Sequence, residues 1–264
     1  MREFGVPALT VIPVSDRLTD TVVRRAGAEP GAVVLRRRTG AGDWQDVTAA
    51  EFRAEVDALA GGLMAAGIGP GDRVALMSRT RYEWTLIDYA CWAAGAVTVP
   101  VYETSSAEQV QWILSDSSAC AVFAETDAHA EIISSVRGQL PGLEHLWMTG
   151  GLDVLVSGGA QTSAEQLEQR RTGRTATDLA SIVYTSGTTG RPKGCELTHG
   201  NLLAVVRNAI DALPEIFEAP GCSTLLFLPL AHALARIVQV GCVESGAILG
   251  HWPDINTLAD GLPD

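Results

Sequence analysis

From residue 48 onward the chain alternates short, continuous apolar runs with longer segments whose apolar positions recur every three or four residues. Thr48-Ala49-Ala50-Glu51 reads as a capping box, in which the threonine hydroxyl and the glutamate carboxylate satisfy each other's backbone donors. It predicts a helix ending at Gly67, with Pro70 just beyond. The run 73–78 then reads as a buried strand, 82–94 as an amphipathic helix and 96–101 as a second strand. Ser105-Ser106-Ala107-Glu108 is another capping box, predicting a helix to Asp116. A strand over 119–124, a helix over 128–139 and a strand over 143–148 follow. Strands that are apolar throughout belong to parallel sheets covered on both faces, so the fold expected is α/β, with predominantly parallel sheets flanked by helices.

The rhythm breaks between residues 149 and 178. Gly150-Gly151 and Gly158-Gly159 bracket what reads as a weak strand, and 163–171 is a short charged helix. The domain division expected here is 1–170 and 171–264, giving two stacked α/β subdomains. The second run is a strand over 179–184, helix 200–212, strand 224–228, helix 231–243 and strand 247–249. No repeat or low-complexity tract interrupts it.

Composition narrows the function more than the fold. The chain has 264 residues, 47% of them apolar, and a net charge of −12, which argues against a nucleic-acid surface. Arg36-Arg37-Arg38 is the one basic run and reads as a solvated strand end. The five cysteines form no Cys-x-x-Cys and point to neither zinc nor a disulfide framework. No apolar stretch reaches the ~20 residues that span a bilayer, and the first residues lack an apolar signal core. The expectation is a cytoplasmic protein, with peripheral membrane contact left open.

One loop carries the chemistry. Thr185-Ser186-Gly187-Thr188-Thr189-Gly190-Arg191-Pro192-Lys193-Gly194 follows a predicted strand. Gly187, Gly190 and Gly194 let backbone approach an anion closely, and successive N–H groups of such a turn form an anion nest. Thr185, Ser186, Thr188 and Thr189 add hydroxyl donors, and Lys193 adds a positive charge. Of the 19 basic residues 18 are arginine, so Lys193 is the only lysine of the chain. A compact ammonium on a flexible stem can follow a departing phosphate where a planar guanidinium is bulkier. The loop is not a Walker phosphate loop, because Pro192 stands where that motif has its second glycine and Gly194 where it has its hydroxyl.

These residues resemble the signature of the adenylate-forming, AMP-binding enzymes. The similarity continues through Leu197-Thr198-His199-Gly200-Asn201-Leu202. Arg81-Tyr82-Glu83-Trp84, Gly95 to Ser106, and Phe227-Leu228-Pro229-Leu230-Ala231-His232 with Ala235-Arg236 are most similar to bacterial long-chain fatty-acid–CoA ligases. The resemblance implies an acid–thiol ligase. A fatty-acid carboxylate attacks the α-phosphate of ATP, pyrophosphate leaves, and CoA displaces AMP from the acyl-adenylate.

By the same resemblance, Thr185 through Lys193 grip the leaving phosphates, Thr185 contacts Mg2+, and His232 lies beside the acyl carboxylate and α-phosphate, so Lys193 and His232 are the catalytic candidates. The family's Tyr-Gly-x-Thr-Glu motif and lid lysine have no counterpart in this sequence. The chain is therefore expected to be an N-terminal portion, partnered by a C-terminal domain or a second copy. Two other readings stay open: a non-catalytic nucleotide-binding fragment or split half, and an adenylating enzyme for another carboxylic acid. Tyr184 reads as a core tyrosine with a ligand-facing hydroxyl as alternative, His199 as a helix-entry residue, and His129, His145 and His251 as structural.

Overall fold

The computed structural model describes residues 7–39, 43–185, 191–217, 219 and 221–258. Six strands form the larger sheet: β3 (Arg73–Met77), β4 (Val97–Val101), β5 (Ala121–Ala124), β6 (His145–Met148), β7 (Leu179–Thr185) and β8 (Lys193–Thr198), ordered β6-β5-β3-β4-β7-β8. Four form the smaller: β1 (Val33–Arg38), β2 (Trp44–Thr48), β9 (Ser223–Leu226) and β10 (Ile248–His251), ordered β2-β1-β10-β9. Among the described residues only the hairpins β1–β2 and β7–β8 pair antiparallel. The predominantly parallel α/β class is the one expected.

The division at 170/171 does not separate the sheets, since each takes strands from both sides of it. Leu35 of β1 pairs with Leu249 of β10, and Thr98 of β4 with Ser181 of β7. A lone β1–β2 ribbon is marginal in water and gains stability by adding parallel partners from far downstream.

Strand alternation divides the larger sheet's side chains between two cores. Val74, Leu76, Ala121 and Phe123 enter a core shared with the smaller sheet. Ala75, Met77, Val122 and Ala124 enter the other, under α4 (Ala107–Asp116) and α5 (Asp127–Val136). The shared core contains α2 (Ala49–Ala65), α3 (Tyr82–Ala93), α8 (His199–Ala212) and α10 (Ala233–Ser245).

Three expectations need correction. Helix α3 is not amphipathic, for every residue except Glu83 is buried. It clamps the sheets together: its Thr85 hydroxyl lies 2.7 Å from His251 Nε2 on β10, and Trp92 Nε1 donates to the Ala180 carbonyl of β7 at 2.8 Å. The second capping box is Ser106 with Gln109, one residue beyond the expected pair. The weak strand between the glycine pairs is a helix, α6 (Leu152–Gly158). A Cβ on Gly159 would lie 2.3 Å from the Gly62 amide nitrogen, and one on Gly62 would lie 2.4 Å from the Leu155 carbonyl oxygen. These glycines mark a close contact between α6 and α2.

Candidate functional site

Strands β7 and β8 pair on either side of the glycine-rich segment in sequence. Ser186, Gly187, Thr188, Thr189 and Gly190 lie outside the described residues, but the stem is described on both sides. Thr185 ends β7, Lys193 begins β8, and the two are register partners. Both are exposed. The hairpin thus joins one hydroxyl and the sole lysine at the carboxyl end of β7, the edge where α/β sheets receive ligands.

The stem is pinned to α4. The Tyr184 hydroxyl donates to Asp116 Oδ2 at 2.6 Å, and Trp112 Nε1 donates to the Pro192 carbonyl at 2.8 Å. The Arg191 guanidinium stacks 4.6 Å from the Trp112 ring centroid. Burial, with the Asp116 hydrogen bond, raises the Tyr184 phenol well above its ordinary pKa. Tyr184 is therefore an anchor, the core alternative of the two readings. Gly194 cannot carry a side chain without displacement, since a Cβ there would sit 2.8 Å from Ile182 Cγ2 and 3.1 Å from Tyr184 Cζ. Lys193 makes no ion pair among the described residues.

Tyr184→Phe removes one anchor and is expected to destabilise the fold by about 1 kcal/mol, the ordinary contribution of such a hydrogen bond. A urea-melt midpoint equal to that of the parent would show that Tyr184 does not hold the stem.

His232 is exposed and caps α10: its Nδ1 accepts from the Leu234 N–H at 3.2 Å. With Nδ1 an acceptor, the neutral ring carries its proton on Nε2, which can donate to an anion. The loop before it is tied to the exit of β3, where the Thr80 hydroxyl donates to the Leu228 carbonyl at 2.6 Å. No hydrogen bond joins His232 to Thr185 or Lys193 among the described residues. His199 is buried, its Nδ1 accepting the Leu18 N–H at 3.4 Å, and burial lowers its pKa to about 4. His251 is likewise buried and lowered to about 4.

No group of three or more His, Cys, Asp or Glu among the described residues could hold a metal ion. Mg2+ takes hard oxygens, keeps several waters and needs only one or two protein ligands. The exposed Thr185 hydroxyl is one such oxygen. Among the described residues no helix is long and apolar enough to cross a membrane.

No motif of the sequence marks Trp112 or Asp116 as anchors of the stem. Asp88, Arg236 and Gln239 form a buried set whose carboxylate–guanidinium contact is 3.0 Å. Of the three, the sequence marks only Arg236, through the resemblance; Asp88 shows only as a charge within a largely apolar segment.

The chain belongs to the AMP-binding enzymes, whose family model matches residues 22–263. It is similar to the long-chain-fatty-acid–CoA ligase FadD15 of Mycobacterium tuberculosis, with 42% identity over 98% of this chain and 44% of that ligase. It is also similar to a feruloyl-CoA synthase from Amycolatopsis, with 34% identity over 87% of this chain and 43% of that synthase. Among solved structures, the inhibitor-bound N-terminal domain of FACL13 from M. tuberculosis superposes with a TM-score of 0.76 at 25% identity, covering 92% of this chain and 59% of that one. The chain spans less than half the length of the curated relatives named here.

Proposed function

We propose that the chain provides the phosphate grip and part of the acyl site of a long-chain fatty-acid–CoA ligase. The observation that carries this reading is the pairing of exposed Thr185 with Lys193 across the hairpin stem. The proposed substrates are a fatty acid, ATP and CoA. A carboxylate oxygen attacks the α-phosphorus, the bond to pyrophosphate breaks, and the resulting acyl-adenylate passes its acyl group to the CoA thiolate with release of AMP. Lys193 balances charge on the leaving phosphates, and His232 Nε2–H donates to oxygen at the carboxylate–phosphate junction. Ser186, Gly187, Thr188, Thr189 and Gly190 complete the grip with backbone N–H groups and hydroxyls. Magnesium, when bound, neutralises phosphate charge, and Thr185 offers it an oxygen. We place the protein in the cytoplasm, meeting membranes through its lipid substrate, with a C-terminal domain or second copy as partner.

Acid-dependent ATP–pyrophosphate exchange tests the reading with palmitate, octanoate, benzoate and an amino-acid mixture. Exchange with palmitate is the expected result. Exchange confined to benzoate would assign another carboxylic acid, a reading that the similarity to the feruloyl-CoA synthase favours over the amino acids. No exchange from folded protein would leave a nucleotide-binding module or split half.

A further inference from the structure

One helical turn beyond His232, the side chain of Arg236 is 1% exposed, and it meets Asp88 on α3, also buried. The contact is bidentate: Nη1 lies 3.0 Å from Asp88 Oδ2 and Nη2 lies 3.1 Å from Oδ1. Nη2 also donates to Thr98 Oγ1 on β4 at 2.9 Å, and Gln239 Nε2 donates to Asp88 Oδ2 at 3.1 Å. Thr98 is in turn the register partner of Ser181, whose hydroxyl donates to the Thr98 carbonyl at 2.9 Å. Ser181 lies on β7, the strand that ends in Thr185. A single buried guanidinium therefore ties α10 to both α3 and β4, beside the strand that feeds the hairpin.

This network is a costly way to fill a core. Arg236 Nε and Gln239 Oε1 are buried without hydrogen-bond partners. Apolar side chains of similar volume often serve stability equally well or better than a buried ion pair, whose attested value is to fix register. Arg236 has a further constraint, its guanidinium lying 5.7 Å from the Trp92 ring centroid. The guanidinium's planar fork meets both carboxylate oxygens and the Thr98 hydroxyl, which admits one position of α10 against the strands. Apolar contacts would allow α10 to slide. The residue at stake is His232, which caps α10 and whose backbone carbonyl accepts from the Arg236 N–H at 3.3 Å.

We propose that Asp88 and Arg236 are positioning residues that set the placement of His232 relative to the hairpin. Their catalytic consequence rests on the reading given under Proposed function; their structural consequence does not. The test replaces the pair by apolar residues in Asp88→Leu/Arg236→Met and follows labelled His232 by nitrogen-15 NMR. The double variant is expected to remain folded with a melting temperature near the parent's. The Nδ1 cap bond to Leu234 travels with α10. The His232 signature to follow is therefore the broadening of its ring signals by a spin label on the exposed Cys195 of β8, with Cys120 and Cys222 replaced by serine. That broadening is expected to change. In a ligase-active form, adenylation kcat is expected to fall about tenfold with KM for ATP unchanged.

Arg236→Lys, which keeps the charge but loses the fork, should show the same change in part. A folded double variant with an unaltered His232 signature overturns the proposal whatever reaction the protein performs. Should the double variant fail to fold, Asp88→Asn removes the charge at constant volume. A shifted His232 signature there supports the proposal, and an unchanged one overturns it. An altered signature with unchanged adenylation kinetics would sink the catalytic role of His232 and leave the positioning intact.

Discussion

Replacement of Lys193 by alanine is expected to weaken magnesium-ATP binding about 10²-fold while changing AMP affinity less than about threefold. The split follows from where the ammonium stands. Lys193 opens β8 opposite Thr185, and it is exposed. The neighbouring cation, Arg191, is stacked on Trp112. Removing the ammonium takes away the charge proposed to meet the phosphates that depart, which AMP lacks. Lys193→Arg restores the charge without the compact shape and should recover only part of the affinity.

Calorimetric titration with ATP and with AMP checks both variants. Equal losses for the two nucleotides, or none, would remove Lys193 from the phosphate grip. The chain's composition supplies a second check. With one lysine in 264 residues, an amine-selective reagent has only Lys193 and the terminal amine as targets. ATP should protect Lys193 in a peptide-resolved mass measurement, and AMP should not.

The sequence reveals the buried strands and capped helices because each leaves a local imprint. Strands β3 to β5 are covered on both faces and read as unbroken apolar runs. Helix α2 announces itself through Thr48 and Glu51, which form both halves of the capping box. The hairpins leave weaker marks. Strand β1 ends in three arginines, which would suggest solvent. In the fold Arg36 pairs with Asp46 at 2.7 Å, Arg37 with Glu55 at 3.3 Å, and Arg38 lies 4.3 Å from the Trp252 ring centroid. Strand β8 has its first four residues exposed, and its sequence reads as a lead into the helix that follows. Neither β2 nor β8, the outer strand of each hairpin, carries an apolar run.

The same limit governs the candidate site. Thr185 and Lys193 are close in sequence, so one hairpin suffices to pair them. Trp112 meets Pro192 across 80 residues, and Arg236 meets Asp88 across 148. Contacts of that span depend on how the sheets stack, which no short motif encodes. A buried charge in an apolar helix is the visible trace of such a contact, but the trace does not name its partner.

Acid should expose the two histidines that the fold keeps neutral. His199 and His251 are buried, and burial holds both near pKa 4, against about 6.5 for the free side chain. The sign follows from proton uptake. Between pH 6.5 and 4 the unfolded chain binds a proton at each site that the folded chain refuses, so stability falls as pH falls. Above pH 6.5 neither state is protonated and the contribution is flat; below pH 4 both are protonated and the loss is complete. At pH 5 each histidine is expected to cost about 2 kcal/mol relative to pH 7, and about 3 kcal/mol at the acid limit.

For a domain whose whole stability is about 5–15 kcal/mol, the two together are a large share. Urea-melt midpoints between pH 7.5 and 4.5 should fall steeply through this window. Carboxylates held low by their partners, such as Glu125 beside Arg79 and Arg81, lose stability in the same direction at a lower pH. The histidine share is therefore the part that begins above pH 5.5. The replacement His199→Gln/His251→Gln should lower stability at pH 7, because Thr85 and the Leu18 N–H lose geometrically matched partners. It should also flatten the profile between pH 6.5 and 5, since neither glutamine titrates. A double variant as acid-sensitive as the parent across that interval would mean that the two imidazoles are protonated in the fold, contrary to their burial.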